Sequence, residues 1–357
     1  MNRLIVKDFG PLKDVDIKLS KINLFIGENG SGKSILAKII AIVTDIPNLY
    51  DIKDDEEKIL KKFANYNINF ITEKSRIEYY IDNERFFVLE YGRISTYLLN
   101  NYFKDDIIPE ELRKLPAFEP MGDIMATIKF ISKSSQYIPA ERNLISLFSK
   151  SLSTLISAEV PLPKFLLHFT SEFEKARNEI KELEFLNIKY INDTKDKIYY
   201  NKTDYLDLEY ASSGIQSSLP LYLTVKYFAN KHQSIIIEEP EQNLFPKSQK
   251  ETVEYIIEHI KGENKLFMMT HSPYILTALN NLILANDVKN QKGADAIKNI
   301  VEEKHCVNFE DVKAYTIIDG KSVDIMDKED RLIGINLIDS ISDEVSNTFD
   351  TLLSKLD

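Results

Sequence analysis

Gly27-Glu28-Asn29-Gly30-Ser31-Gly32-Lys33-Ser34 follows the spacing Gly-x-x-x-x-Gly-Lys-Ser, and each position has a chemical reason. The glycines let the backbone N–H groups of Asn29, Gly30, Ser31 and Gly32 curl around the β- and γ-phosphates of a nucleotide, and the helix that follows adds its positive N-terminus. Lys33 brings a point charge to the same oxygens, and Ser34 brings a hydroxyl ligand for Mg²⁺. Of only 11 glycines in the chain, three fall within six residues here, a concentration that chance does not readily give. The apolar run Ile22–Ile26 leads into the loop, and Ser34–Val43 has the apolar spacing of a buried helix. Strand, loop and helix are the setting the motif needs. The loop predicts ATP and Mg²⁺ as cofactors.

On the N-terminal side, Leu4–Lys7 and Val15–Leu19 read as two strands joined at Gly10-Pro11. On the C-terminal side the character changes between Asp45 and Tyr205. Ile68–Thr72, Arg76–Ile81 and Arg85–Tyr91 alternate apolar and polar residues and predict an antiparallel meander. Helical patterns follow at Met121–Ile131, Leu144–Leu155 and Pro163–Phe185, too short for a long coiled-coil arm. Ile188–Ile191, Lys197–Tyr200 and Tyr205–Leu208 then predict strands. Helix and strand alternate in the remainder: helix Leu219–Phe228, strand Ser234–Ile237, helix Ser248–Ile260, strand Leu266–Thr270 and a helix from Tyr274. Short continuous apolar strands of this kind predict an α/β fold with a mostly parallel core sheet covered on both faces. A hairpin, Val312–Ile318 and Ser322–Met326, turns at Asp319-Gly320, and a terminal amphipathic helix closes the chain.

The bulk numbers set outer limits. A hydrophobic fraction of 43% and a charged fraction of 28% over 357 residues belong to a globular protein. No apolar run approaches the roughly 20 residues of a membrane helix, and Asp8 interrupts the N-terminal run before a signal core forms. One cysteine, Cys306, excludes an internal disulfide framework and a cysteine metal cluster; a cytoplasmic location is expected. The net charge of −11 argues against a uniformly basic nucleic-acid binder. Local clusters at Lys58, Lys61 and Lys62, and at Arg113 and Lys114, read as solvated faces, with a local groove left open.

Further segments carry chemistry. Ser234-Ile235-Ile236-Ile237-Glu238-Glu239-Pro240 is a buried strand ending in two carboxylates. The first suits a Mg²⁺ site reached through water, and the second suits the acceptor of a proton from attacking water. The first acid at such a strand end is usually Asp, and the longer Glu238 should still reach. Tyr210-Ala211-Ser212-Ser213-Gly214-Ile215-Gln216-Ser217 opens a helix and makes a second anion-binding corner. Met268-Met269-Thr270-His271-Ser272-Pro273 sets a histidine just past a buried strand. Alone, Ser213-Gly214 is a helix cap, and a lone histidine is usually structural.

Taken in order, these segments resemble the Walker A loop, signature motif, Walker B strand and His switch of the ATP-binding-cassette ATPase superfamily. Glu238-Glu239-Pro240-Glu241-Gln242-Asn243-Leu244-Phe245-Pro246 and Gln136-Tyr137-Ile138-Pro139-Ala140-Glu141-Arg142 resemble, more narrowly, the bacterial AAA-labelled proteins related to the overcoming-lysogenization-defect family. That resemblance implies a single head over residues 1–357. Its nucleotide-binding core would be 1–45 and 206–357, with a β-rich subdomain at 46–110 and a helical insertion at 111–205. It implies a homodimer or higher homo-oligomer in which Ser213 and Gly214 of one subunit meet the γ-phosphate held at Lys33 of the other. Glu239 would activate water and His271 would hold the γ-phosphate or the water. Glu241–Leu244 would cross the dimer interface. Gln136 would sense Mg²⁺ and nucleotide, with Arg142 the other candidate. Ile215 stands where the signature usually has a second glycine.

The function expected from this resemblance is an ATP-hydrolysing, ATP-gated dimeric switch in a bacterial anti-phage defence system, working with a separate nuclease or toxin effector. The segment after His271 reads as the end of the head, so no intrinsic nuclease is expected, and Asp319, Asp324 and Asp327 read as turn residues. The alternative is a DNA-repair or chromosome-type ATPase that clamps DNA, against which the short arm and acidic charge weigh. A transporter motor is disfavoured by the β-rich insertion, and a non-hydrolysing scaffold by the intact acidic pair.

Overall fold

The computed structural model describes residues 1–52, 55–90, 93–96, 134–147, 161–229, 231, 234–334 and 346–355. Strands β1 (Asn2–Phe9) and β2 (Leu12–Leu19) form the N-terminal hairpin, and β3 (Ile22–Ile26) runs into the glycine loop. Helix α1 (Lys33–Val43) starts at the end of that loop and buries Leu36, Ala37, Ile39, Ile40, Ile42 and Val43. Two helices not evident in the sequence pattern follow, α2 (Ile46–Asp51) and α3 (Glu56–Asn65). The second is capped by Asp55, which accepts from the Lys58 N–H at 3.0 Å, and it buries Ile59 and Phe63, one turn apart.

The expected strand Ile68–Thr72 is a loop. Asn67 sits at φ 60°, and the Thr72 N–H donates to Ser75 Oγ at 3.0 Å while the Ser75 N–H returns to the Thr72 carbonyl at 3.0 Å. A serine–threonine turn thus takes the backbone groups a strand would have offered. The other two members of the meander are strands: β4 (Arg76–Ile81) and β5 (Glu84–Glu90), followed by β6 (Arg93–Thr96). They do not stand apart from the core, since β4 pairs antiparallel with β1.

Strand β7 (Gln136–Ile138) leads to α4 (Asn143–Leu147), the described part of the helix expected at Leu144–Leu155; the one expected at Met121–Ile131 lies outside the described residues. The pattern at Pro163–Phe185 divides into α5 (Lys164–Glu179) and β8 (Glu182–Phe185). Past Ile180 the burial period becomes two, with Leu183 and Phe185 inside and Glu182 and Glu184 outside. Strand β8 joins β9 (Ile188–Asn192), β10 (Asp196–Tyr199) and β11 (Tyr205–Asp207) in a separate four-stranded sheet.

Helix α6 (Ser213–Phe228), β12 (Ser234–Glu238), α7 (Pro246–His259), β13 (Lys265–Thr270), α8 (Pro273–Lys292), β14 (Val312–Ile318) and β15 (Lys321–Asp324) complete the core. The main sheet has eleven strands in the order β6-β5-β4-β1-β2-β15-β14-β3-β13-β12-β7. Its β14-β3-β13-β12-β7 section is parallel throughout, and the outer section from β6 to β2 is antiparallel. This is the α/β architecture expected, a parallel core extended by an antiparallel meander. Ile235, Ile236 and Ile237 are 0% exposed, because helices cover both faces; each contributes roughly 1.5–3 kcal/mol of burial. Asp324 and Asp327 accept backbone N–H groups from Met326, Glu329 and Asp330, so they fix turns. Residues 346–353 are helical and exposed throughout.

The register aligns the strand ends. Thr270 faces Ile26, and Glu238 faces Met269, so β3, β12 and β13 deliver their C-terminal loops side by side, the usual ligand edge of such a sheet. At the far hairpin, Gly320 has φ +77°, and its carbonyl accepts from the N–H groups of Lys13 and Asp14 at 2.8 and 3.1 Å. A methyl group there would meet the Pro11 carbonyl oxygen at 2.2 Å. Gly320→Ala should therefore destabilise the fold by about 2 kcal/mol, read as a lower urea midpoint at unchanged slope.

Candidate functional site

The glycine loop closes on its own lysine. Gly30 and Gly32 take φ values of +79° and +103°, open to glycine and costly to residues with a Cβ. Lys33 Nζ donates to the Gly27 and Glu28 carbonyls at 2.7 and 2.9 Å and to Ser31 Oγ at 3.4 Å. Burial lowers the Lys33 pKa, opposed by the carboxylates of Glu239, Glu241, Glu238 and Glu28. Lys33 therefore lies within electrostatic reach of the acids at the end of β12.

The two acids at that strand end face different surroundings. Glu238 is 4% exposed, and burial raises its pKa, while the hydrogen bond from the Tyr137 hydroxyl, the nearby Ser34 hydroxyl and the charge of Lys38 act in the opposite sense. Glu239 has φ 46°, a left-handed conformation that a non-glycine residue adopts only when its surroundings enforce it. They do so here: its N–H donates to the Met269 carbonyl at 2.8 Å and its carbonyl accepts from Arg142 Nη2 at 2.6 Å. The twist turns the Glu239 side chain out of the strand, where 35% of it is exposed and its Oε1 lies 3.9 Å from His271 Nδ1.

His271 is fixed from behind by Glu241. This carboxylate is 5% exposed; its Oε1 accepts from Thr270 Oγ1 at 2.6 Å and from the His271 N–H at 2.9 Å, and lies 3.6 Å from His271 Nδ1. Glu241 thus lies inside the head, where the sequence reading had it begin a segment that crosses a dimer interface. The residues after it do reach the surface, with Phe245 77% exposed.

Gln136 and Arg142 separate. Gln136 pairs with Ile235 at the start of β7, and its Nε2 donates to the Tyr137 carbonyl at 3.1 Å. That puts it toward the opposite end of the strand from Glu238, so the structure does not bring it to the loop or the acids. Arg142, 1% exposed, is at the acids. Its Nε donates to the Ser217 carbonyl at 2.9 Å, Nη1 to the Pro139 and Glu238 carbonyls at 3.1 and 2.7 Å, and Nη2 to Glu239. Burial brings its pKa down to about 10, against the pull of Glu241, Glu239, Glu238 and Glu141.

Ser213 is exposed at the first turn of α6, and Gly214 presses so close to the Asn243 carbonyl that a Cβ would stand 2.8 Å from it. Ile215 is 8% exposed and packs inward, and Gln216 donates back to the Glu209 carbonyl at 2.9 Å. Ile215 therefore faces the core and leaves the outer surface of the turn to Ser213. Tyr137 was missed from sequence, because nothing in a three-residue apolar strand marks which hydroxyl will find a buried acid.

The hydroxyl of Ser34 and the carboxylate of Glu238, which lie close together, are hard oxygen donors. They fit Mg²⁺, which takes one or two protein oxygens and completes its shell with water and phosphate. Among the described residues no group of three or more His, Cys, Asp or Glu side chains could hold a metal alone.

Residues 44–276 match the family model described as AAA ATPase domain, a span that includes Gln136, Arg142, Ser213, Glu238, Glu239 and His271. No curated protein matches the chain. Similar solved structures include the SMC head domain from Thermotoga maritima, 12% identical at TM-score 0.43, covering 90% of this chain and 97% of that one. An SMC head bound to the C-terminal winged-helix domain of ScpA is 14% identical at TM-score 0.41, covering 92% and 98%. A dimeric ATP-binding cassette in a post-hydrolysis state with ADP and phosphate is 13% identical at TM-score 0.34, covering 90% and 96%.

Arg142→Lys keeps the charge and loses the planar fork. It should cost roughly 2–4 kcal/mol in urea unfolding, since at least two of four buried acceptors lose their charged donor.

Proposed function

The chain belongs to the AAA ATPase domain family, and on that premise we propose that it binds ATP with Mg²⁺ and hydrolyses it in a site completed by a second copy of itself. The observation that carries this reading is the meeting of Lys33, Ser34, Glu238, Glu239 and His271 at the adjacent ends of β3, β12 and β13. Lys33 neutralises the β- and γ-phosphate oxygens, exchanging loop carbonyls for the stronger phosphate acceptors. Ser34 and Glu238 would hold Mg²⁺, which would supply charge neutralisation on the phosphates. Glu239, the more exposed acid, accepts a proton from the attacking water, and His271, braced by Glu241, contacts the γ-phosphate or that water. Arg142 acts as a positioning residue through the backbone of both acids.

The second copy supplies Ser213 and Gly214. In support, Ser213 stands exposed at a helix N-terminus, suited to a γ-phosphate. Large apolar side chains are exposed at the starts of α6, α7 and α8: Tyr210 at 70%, Phe245 at 77% and Tyr274 at 51%, as expected of a surface that a partner covers. The setting we propose is an ATP-gated switch in bacterial anti-phage defence, with a separate nuclease or toxin as effector. Its support is the resemblance carried by Glu238–Pro246 and Gln136–Arg142, and a nuclease or toxin gene beside this one would strengthen it where a permease gene would oppose it.

Glu239→Gln should lower ATP turnover at least ~100-fold while letting ATP-dependent dimers accumulate in light scattering. Lys33→Ala should show neither turnover nor dimers. Ser213→Glu should also be inactive, and mixing it with Lys33→Ala should restore turnover, because one of the two composite sites in the mixed dimer is intact. Normal turnover in Glu239→Gln, or no recovery on mixing, would defeat the proposal.

A further inference from the structure

A cavity of about 800 Å³ opens at the opposite end of α1 from the glycine loop, about 16 Å away along that 11-residue helix. Its walls come from α3, the ends of α1 and α6, the start of β7 and the first turns of α5. Lys58, Lys61, Lys62, Lys164, Lys175 and Lys231 line it, against the acids Asp45 and Glu172. The sequence reading took the first three lysines for a solvated face, yet the Lys62 side chain is only 12% exposed and bonds to Asp45 at 2.5 Å. Lys58 is held by Asp55 at 3.0 Å and Lys175 by Glu172 at 2.7 Å. Among the described residues Lys61 and Lys164 have no carboxylate partner, Lys231 Nζ stands 3.1 Å over the Tyr227 ring, and the N-terminus of the 16-residue helix α5 adds its positive end. Positive charge is concentrated here on a chain whose net charge is −11.

The remaining lining is what a nucleoside requires. Tyr66 and Tyr227 line it with aromatic surface beside the buried Phe165 and Phe228, with Lys231 Nζ over the Tyr227 ring, and Asn48, Asn65 and Gln136 bring amide groups that both donate and accept. Asp45, 7% exposed, binds Lys62 and Asn48 through Oδ2, and its buried Oδ1 has no hydrogen-bond partner among the described residues. A sugar hydroxyl or an exocyclic amine would satisfy that oxygen as a neutral donor, whereas the negative charge of a bare phosphate is repelled by it. The volume is that of a small-molecule site. The cavity also touches the proposed ATP site indirectly. The Tyr66 ring lies 5.5 Å and the Phe165 ring 5.8 Å from the Tyr137 ring, whose hydroxyl donates to Glu238.

We propose that this cavity is a second nucleotide site, for a nucleoside 5′-phosphate, and that its occupant acts on hydrolysis through Tyr66, Phe165 and Tyr137. The binding claim stands apart from the proposed ATPase mechanism; the effect on hydrolysis rests on it. The test measures equilibrium binding of AMP, GMP, CMP and UMP to the full chain carrying Lys33→Ala, so that the glycine loop does not contribute. At least one should bind at one per chain. Adding Lys61→Ala and Lys164→Ala should weaken it at least about tenfold, with an unchanged urea midpoint because both lysines are exposed. With the loop intact, the same nucleotide should alter ATP turnover, and the double lysine variant should not respond. Absence of binding by all four, binding indifferent to the lysine changes, or binding of a short oligonucleotide without any monophosphate overturns the site. Binding with unaltered turnover overturns its action on hydrolysis.

Discussion

The guanidinium of Arg142 is the constraint on which the geometry of the proposed reaction depends. It lies inside the protein, where a lone charge is expensive, and it is made tolerable by four backbone carbonyls and four nearby carboxylates. Those carbonyls belong to the turn after β7, the start of α6 and the two acids at the end of β12. One planar group therefore locks together the segment that bears Ser213, the strand that bears Glu238 and Glu239, and the turn that follows Tyr137. The left-handed backbone at Glu239 persists because Arg142 and Met269 hold it from both sides. Strain at a reactive residue is stable only in such a frame.

A second layer of constraint comes from Glu241 and Tyr137, neither of which is placed to touch substrate. Glu241 holds the loop of His271 by its backbone and its neighbour Thr270, leaving the ring 43% exposed. Tyr137 donates to the buried Glu238 and so favours its charged form. These supports are polar groups inside a core, bonded through Tyr137 Oη and Glu241 Oε1 while Glu241 Oε2 has no hydrogen-bond partner among the described residues, which makes the position of each acid a property of several chain segments at once.

Much of this was legible in the sequence. The spacing around Lys33 and the apolar strand ending in Glu238-Glu239 gave the loop, its flanks and the pair of acids, because local chemistry dictates those patterns. The division of labour between Gln136 and Arg142 was not legible. Both lie in one short segment, and only the register of β7 against β12 shows that Gln136 faces away while Arg142 turns back. Ile68–Thr72 alternates like a strand, yet a serine–threonine turn claims its backbone. Glu182–Phe185 was absorbed into a helical pattern because its acids and apolar residues fit both periods over so short a span. Lys62 reads as surface in any composition count, and its burial against Asp45 follows from a contact across 17 positions.

The sheet order has a consequence in time. The strand that carries the glycine loop, β3, is bordered by β13 and β14, which end at Thr270 and Ile318. One edge of β3 stays unpaired until the ribosome has added about 240 further residues and the other until about 290, roughly 12–60 s at ordinary synthesis rates. During that interval the nascent chain carries a short apolar strand with open edges, a natural client for chaperones, and it has no assembled phosphate site with which to bind nucleotide prematurely.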